Sequence, residues 1–203
     1  MPNLLRSALS ELNRRYGLGS ERTYVYSIRP PARPAPVEAA GVEWTRLGPE
    51  HAAELGTIGP FDMALAKPRF ERGDRCYGGY IGGRLAHYSW AQSAGEHQIL
   101  EGGCMERIAP GEFWIYHCRT AEWARGRGIY PAMLARIVKE FFEEGWGVGW
   151  IYTTRHNVAS QKGIVRAGFT LQRTVSAIRV GARHFRIGER AAGPDPEATR
   201  QLH

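Results

Sequence analysis

The sequence predicts one mixed α/β domain, a sheet with helices packed on it, preceded by an N-terminal helix–strand extension. Three observations predict it. Two strand-like runs, Cys76–Ile81 and Arg84–Gln92, are separated only by Gly82-Gly83, the mark of a tight hairpin. Further on, the pattern alternates between strand-like and helix-like segments from residue 112 to residue 166, then returns to strand. With 203 residues, 43% hydrophobic and 23% charged, the chain can bury one core plus an appendage, and its composition is that of a soluble globular protein.

Leu4, Leu5, Ala8, Leu9, Leu12 and Tyr16 recur at helical spacing, so residues 3–16 read as an amphipathic helix stopped at Gly17. A short strand, Thr23–Ile28, follows, and the proline-rich run Arg29–Pro36 is a stiff, extended connector. A helix and one strand cannot build a core. Residues 1–36 are therefore expected to dock on the main domain or on a second subunit, which makes a homodimer through this extension an expectation. A membrane-surface role for the stripe flanked by Arg6, Arg14 and Arg15 is the weaker use of the same pattern.

The main domain spans 37–190. Val42–Arg46 suits a first strand, Pro49–Leu55 a helix opening, and residues 61–67 another short helix. After the hairpin, residues 93–111 contain Gly, Glu and Pro and read as a long irregular connection, a length at which loops are often functional. Then come strand 112–120, helix 130–144, strand 148–154 and helix 157–166. Met133, Leu134, Ile137, Val138, Phe141 and Phe142 give the first of these helices one broad apolar face, and Gly145 stops it. Phe169–Val180 and Ala182–Ile187 close the domain as strands, and 191–203 is expected to be a disordered tail.

The segment richest in chemistry runs from Thr120 to Leu134. A strand feeds the turn Arg125-Gly126-Arg127-Gly128, and a helix starts at once. Gly126 and Gly128 remove side chains where backbone N–H groups must approach an anion, and the helix start adds unpaired donors and the positive end of its dipole. This is a phosphate cradle beside two arginines. It is not a Walker loop, which needs Gly-Lys-Ser/Thr, and Pro131 excludes the dinucleotide fingerprint. A second segment, Asn157-Val-Ala-Ser160-Gln-Lys-Gly-Ile164-Val-Arg166-Ala-Gly168-Phe169, follows the next strand.

Together the two segments resemble the acetyl-coenzyme A binding half of the GNAT superfamily of acyltransferases. That pattern is Gln/Arg-x-x-Gly-x-Gly/Ala, then an Asn-x-x-Ala/Ser helix closing on Lys-x-Gly-Phe. The resemblance covers about residues 112–170, with Arg125 and Gly128 at the most diagnostic positions. Tyr130 replaces the usual Gly/Ala, and Arg166 stands where Lys is usual. The resemblance implies a mixed, mostly antiparallel central sheet flanked by helices. It also implies acetyl-CoA as co-substrate and acyl transfer to an amine by direct attack. The strand before the glycine turn should splay from Val148–Thr153, so that backbone groups over His117–Thr120 pair with the pantetheine arm. The coenzyme site then comprises Cys118, Arg119, Thr120, Arg125, Gly126, Arg127, Gly128, Ile129, Tyr130, Asn157 and Ser160.

An amine must be neutral to attack, and an alkyl ammonium titrates near 10.4, so a base is expected. Some family members carry a catalytic glutamate at the position of Trp114 here, and that role does not transfer. Glu112 is the first choice, two residues earlier on the strand face of Trp114, Tyr116 and Cys118. It reads equally as a solvated strand-entry residue. His117, on the other face, is the alternative, and Glu96, His97, Glu101 and Glu106 could border the acceptor pocket. The tyrosine that often protonates the departing thiolate is Ile164 here, with Tyr116 or Tyr130 as substitutes. Asn157 also reads as an N-cap. Because the usual acid and base positions hold other residues, a catalytically silent acyl-CoA-binding or assembly module stays open as the second reading.

The net charge of +7 favours anionic partners, and all the basic residues but Lys67, Lys139 and Lys162 are arginines, whose planar fork suits phosphate. A small neutral or anionic amine is the expected acceptor, because a positive surface opposes polycations. The arginines are scattered and no nucleic-acid-binding module is visible, so no nucleic-acid partner is expected. Cys76, Cys104 and Cys118 lack metal-ligand spacing, so neither zinc nor a disulfide framework is expected. Without an apolar span or a leader pattern, the expectation is a cytoplasmic protein with no transmembrane segment.

Overall fold

The computed structural model describes residues 17–30, 39–59 and 62–192. Its strands are β1 (Leu18–Ile28), β2 (Glu43–Leu47), β3 (Arg75–Ile81), β4 (Arg84–Gln92), β5 (Glu96–Ile99), β6 (Cys104–Arg107), β7 (Glu112–Thr120), β8 (Val148–Thr154), β9 (Thr170–Val180) and β10 (Arg183–Ala191). Its helices are α1 (Ala52–Leu55), α2 (Asp62–Glu71), α3 (Ile129–Glu143) and α4 (Val158–Arg166). Among the described residues, eight strands form one sheet in the order β10-β9-β1-β8-β7-β4-β3-β2, and β5-β6 form a separate pair. All neighbours are antiparallel except β7 and β8, which run parallel.

Two expectations change. Residues 93–111 are not irregular: β5 and β6 pair from Glu96↔Arg107 to Ile99↔Cys104 and pack Ile99 on the sheet. The strand foreseen at Thr23–Ile28 is longer and sits inside the sheet, between β8 and β9. Of the two docking partners foreseen for the extension, this strand uses the main domain. The helix expected over 3–16, the connector from residue 31, the dimer contact assigned to the extension, and the tail from residue 193 lie outside the described residues.

The core explains why α3 lies where it does. Met133, Leu134, Ile137, Val138 and Phe141 bury its apolar stripe against Tyr24, Tyr26, Phe113, Ile115 and Ile151 of the sheet. Phe113 stacks on Phe141 at 4.0 Å between centroids. On the other sheet face, Leu47, Leu85, Tyr88 and Trp90 pack with Leu55 of α1 and Ala66 of α2, while Trp114, Val25 and Val175 pack with Ile99. Each fully buried large apolar side chain contributes about 1.5–3 kcal/mol. The sheet is thus clamped on both faces, by α3 and α4 on one and by α1, α2 and β5–β6 on the other.

Candidate active site

The one parallel pair in the sheet is also an incomplete one. β7 and β8 are in register from Glu112↔Val148 to Ile115↔Ile151, and the pairing stops there. Beyond it, Tyr152, Thr153 and Thr154 still pair with β1, and β7 still pairs with β4, so each strand keeps its outer partner and loses its inner one. Backbone donors and acceptors left open this way need a partner from water or ligand.

A bulge shapes the open half of β7. The register with β4 jumps from Trp90↔Tyr116 to Tyr88↔Arg119, so His117 and Cys118 face the single residue Ser89. His117 has φ 47°, the only positive φ among the described non-glycine residues, a conformation that histidine tolerates better than most side chains. The extra residue inverts the alternation. The strand pattern puts His117 and Cys118 on opposite faces from those observed: His117 joins Tyr116 on the α2 face, and Cys118 turns toward the α3 core. Thr120 follows Cys118, and its hydroxyl pairs with buried His87 at 2.7 Å rather than facing the cleft.

The gap opens into a cleft of about 700 Å³ that passes from one sheet face to the other. Cys118, Ile151, Tyr130, Asn157 and Ser160 line the α3–α4 side; Arg69, Arg72, His97, Tyr116, His117, Arg119 and Tyr152 line the opposite side. At the α3 end, Gly128 is the N-cap, with φ 72° and no side-chain cap. The helix N–H groups above it are therefore left for another acceptor. Arg125 and Arg127 flank this turn as exposed side chains, Arg125 only 3.6 Å from Glu122, whereas the side chain of Ile129 is buried and can offer only its N–H.

No family model matches the chain, and no curated protein matches it. Among solved structures, a GNAT-family protein from Novosphingobium aromaticivorans superposes with a TM-score of 0.57 at 19% identity, covering 79% of this chain and 64% of that one. A GNAT-family acetyltransferase from Colwellia psychrerythraea gives 0.59 at 18%, covering 79% and 55%. The glucosamine N-acetyltransferase region of a fungal multidomain β-N-acetylglucosaminidase gives 0.59 at 14%, covering 89% and 23%. The chain has the GNAT fold. It spans less than two thirds of the length of each of these three structures.

Within the GNAT fold, the residues singled out from sequence fall into two groups. Cys118, Arg119, Tyr116, His117, Tyr130, Asn157 and Ser160 meet in the cleft. Glu112 does not: it stands at the paired end of β7, opposite Val148, five residues before the bulge. At about 3.3 Å per residue that is well beyond hydrogen-bond reach of the gap. The choice of Glu112 as base is corrected on that ground. Trp114, at the glutamate position of the pattern, is buried and stacked on His97 and Trp150. Ile164 is fully buried in the core.

Three arginines and two carboxylates surround the α2-side wall of the cleft. Asp62, almost inaccessible, accepts from His117 Nε2 at 2.9 Å, from Arg119 Nε at 3.1 Å and from the Tyr88 hydroxyl. Asp74, also buried, accepts from Arg72 and from the Tyr116 hydroxyl. Arg69 Nη2 lies 3.2 Å from His117 Nδ1. A guanidinium only donates, so Nδ1 carries the lone pair and Nε2 carries the proton given to Asp62. Burial, and next the Arg69 charge, hold the His117 pKa below its ordinary value despite Asp62. His117 is thus a neutral imidazole near pH 7.

Cys118, Tyr116 and Tyr130 are held in their neutral forms. Burial pushes the Cys118 thiol up to about 12, which removes it as a nucleophile at neutral pH. Burial and the bond to Asp74 raise the Tyr116 phenol, and burial raises Tyr130. Tyr130 Oη is 3.1 Å from Ser160 Oγ, and its ring packs so closely on Gly163 that a Cβ there would lie 2.6 Å from it. Asn157 caps α4 through Oδ1 and the Ser160 N–H at 3.1 Å. Asp62 and Arg69 were missed by sequence reasoning. Seven residues apart, they share one face of α2, but nothing local marks that face as buried.

Proposed function

We propose that this protein is an N-acyltransferase that moves an acyl group, most simply acetyl, from acyl-CoA to a small neutral or anionic amine by direct attack. The observation that carries the reading is the splayed β7–β8 gap with an uncapped α3 N-terminus at one end and a neutral, carboxylate-backed histidine at the other. The residues fit the coenzyme. Backbone groups of Tyr116–Arg119 and Tyr152–Thr154 lack an inner strand partner that an extended pantetheine arm can replace. The N–H groups from Gly126 to Tyr130, beside Arg125 and Arg127, suit a pyrophosphate. The coenzyme, when bound, supplies the activated acyl group and a thiolate leaving group.

The chain's own residues then divide the work. The amine enters from the α2 face, where Arg69, Arg72 and Arg119 line the wall. His117 Nδ1 accepts the amine proton as nitrogen attacks, while Asp62 holds Nε2–H and stabilises the imidazolium. A free backbone N–H at the bulge polarises the acyl carbonyl. Tyr130, kept protonated by burial, donates toward the departing sulfur. Cys118 takes no covalent part.

A second reading, a GNAT-fold module that binds acyl-CoA without turnover, is favoured by Trp114 and Ile164, both packed where the pattern usually has its base and acid. One experiment separates the two: thiol release from acetyl-CoA, followed with and without a panel of amines that includes amino acids, glucosamine and spermidine. Amine-dependent thiol release and a matching acylated amine support the transferase. Tight coenzyme binding with no amine-dependent release supports the silent module.

A further inference from the structure

Arg69 is the one cleft-lining arginine with no carboxylate partner among the described residues. Arg72 is paired with Asp74, and Arg119 with Asp62, at the same wall. Arg69 instead lies over the rings of Trp90 and Tyr116, at 5.2 and 5.1 Å, and spends Nη2 on the imidazole of His117. Its Nη1 is buried and meets no acceptor. A half-buried guanidinium held this way, with one inaccessible nitrogen unpaired and no carboxylate beside it, is poorly satisfied, since donors taken out of water ordinarily meet an acceptor. The aromatic faces supply part of the stabilisation but no hydrogen-bond acceptor.

We infer that the acceptor amine carries a carboxylate, and that Arg69 receives it, leaving His117 Nδ1 as it does so. This rests on the acyltransferase reading and narrows its substrate class from small neutral or anionic amines to amino acids in the broad sense. The geometry supports both halves. The carboxylate supplies the missing acceptor in the two-oxygen form that a guanidinium fork matches. The contact that now occupies His117 Nδ1 is the one the incoming anion competes for, so the base becomes free only when an acceptor of the right charge is seated. The charged and polar groups facing His117 are Asp62 and Arg69 from α2, Arg119 from β7 and the stacked ring of Tyr88 from β4. Only Arg69 lacks a fixed counter-ion, so it is the one whose charge a ligand alters most.

Two measurements test this. In the first, L-alanine, L-methionine, L-phenylalanine, L-glutamate, β-alanine and γ-aminobutyrate are each compared with the matching carboxamide as acceptors. The pH-independent kcat/KM is used, because the amide and acid forms differ in amine pKa. At least one acid should exceed its amide by about 10- to 100-fold, the range of a charge-assisted bidentate bond. Arg69→Gln should erase that margin, bringing the acid and its amide to within about threefold of each other, and Arg69→Lys should restore part of it. In the second, no acyl donor is present: the His117 ring resonances are titrated with each acid and each amide. The acid should shift the imidazole midpoint upward and the amide should not, and Arg69→Gln should abolish the difference. Acids no better than their amides, or an Arg69→Gln protein that loses both equally, overturn the inference while leaving the transferase reading intact. Acid-specific shifts of His117 without thiol release from any amine leave the carboxylate site standing and overturn the transferase reading.

Discussion

Replacing His117 by Asn probes the proposed chemistry with little collateral change. Asparagine tolerates the φ of 47° that the bulge imposes, so the backbone of β7 should hold. The lost contacts are the Nε2–H to Asp62, the Arg69 Nη2–H to Nδ1 and the stack on Tyr88 at 6.0 Å. Asp62 keeps Arg119 and Tyr88 as donors, so the stability cost should be about 1–2 kcal/mol. The catalytic cost is much larger. A positioned base is worth about 10²- to 10⁴-fold, or about 3–5.5 kcal/mol in the barrier, and kcat/KM should fall by that much while coenzyme affinity stays within about twofold. The pH dependence carries the sign. In the parent, both the imidazole and the amine must be neutral. Log kcat/KM therefore rises with slope two below the lowered His117 pKa, then with slope one up to the amine pKa. In the variant only the amine titrates, and the slope is one throughout. Stopped assays of thiol release across pH, with the fold checked by circular dichroism, read both quantities. A folded His117→Asn protein that keeps the slope of two, or turns over within about threefold of the parent, refutes this assignment.

Three further outcomes are expected. Gly126→Asp has room for its Cβ, with nothing within 4 Å, but sets a carboxylate beside the proposed pyrophosphate seat at φ 78°. Calorimetry should show coenzyme affinity reduced on the order of 100-fold, with a stability loss of about 1 kcal/mol. Cys118→Ala should keep turnover within about threefold, and the parent thiol should resist iodoacetamide at pH 8, because a pKa near 12 leaves about one thiolate in ten thousand. Phe113→Ala removes a fully buried ring stacked on Phe141 and should cost about 3–5 kcal/mol in urea unfolding.

What the sequence discloses is what is local. The run from Glu112 to Arg166 carries strand alternation, two glycines two apart and an apolar helical stripe, and each signal lies within a few residues of the structure it specifies. The splay is foreseen only through the family resemblance, since no composition marks where β7 leaves β8. The bulge is invisible because its positive φ falls on a histidine rather than a glycine, and this one inserted residue is why the faces expected for His117 and Cys118 exchange. The β5–β6 pair hides because each strand has only four residues, with polar ones among them. Asp62 and Arg69 are hidden for another reason: the group that gives them meaning, His117, is 55 and 48 positions away.

A structure of the protein with acetyl-CoA tests the central claim most directly. The pantetheine should lie extended between Tyr116–Arg119 and Tyr152–Thr154, taking the backbone bonds that β7 and β8 do not give each other, with the pyrophosphate on the N–H groups from Gly126 to Tyr130 and the thioester within reach of His117. Coenzyme bound outside this gap, or β7 and β8 closing to pair beyond Ile115 and Ile151, would contradict the account.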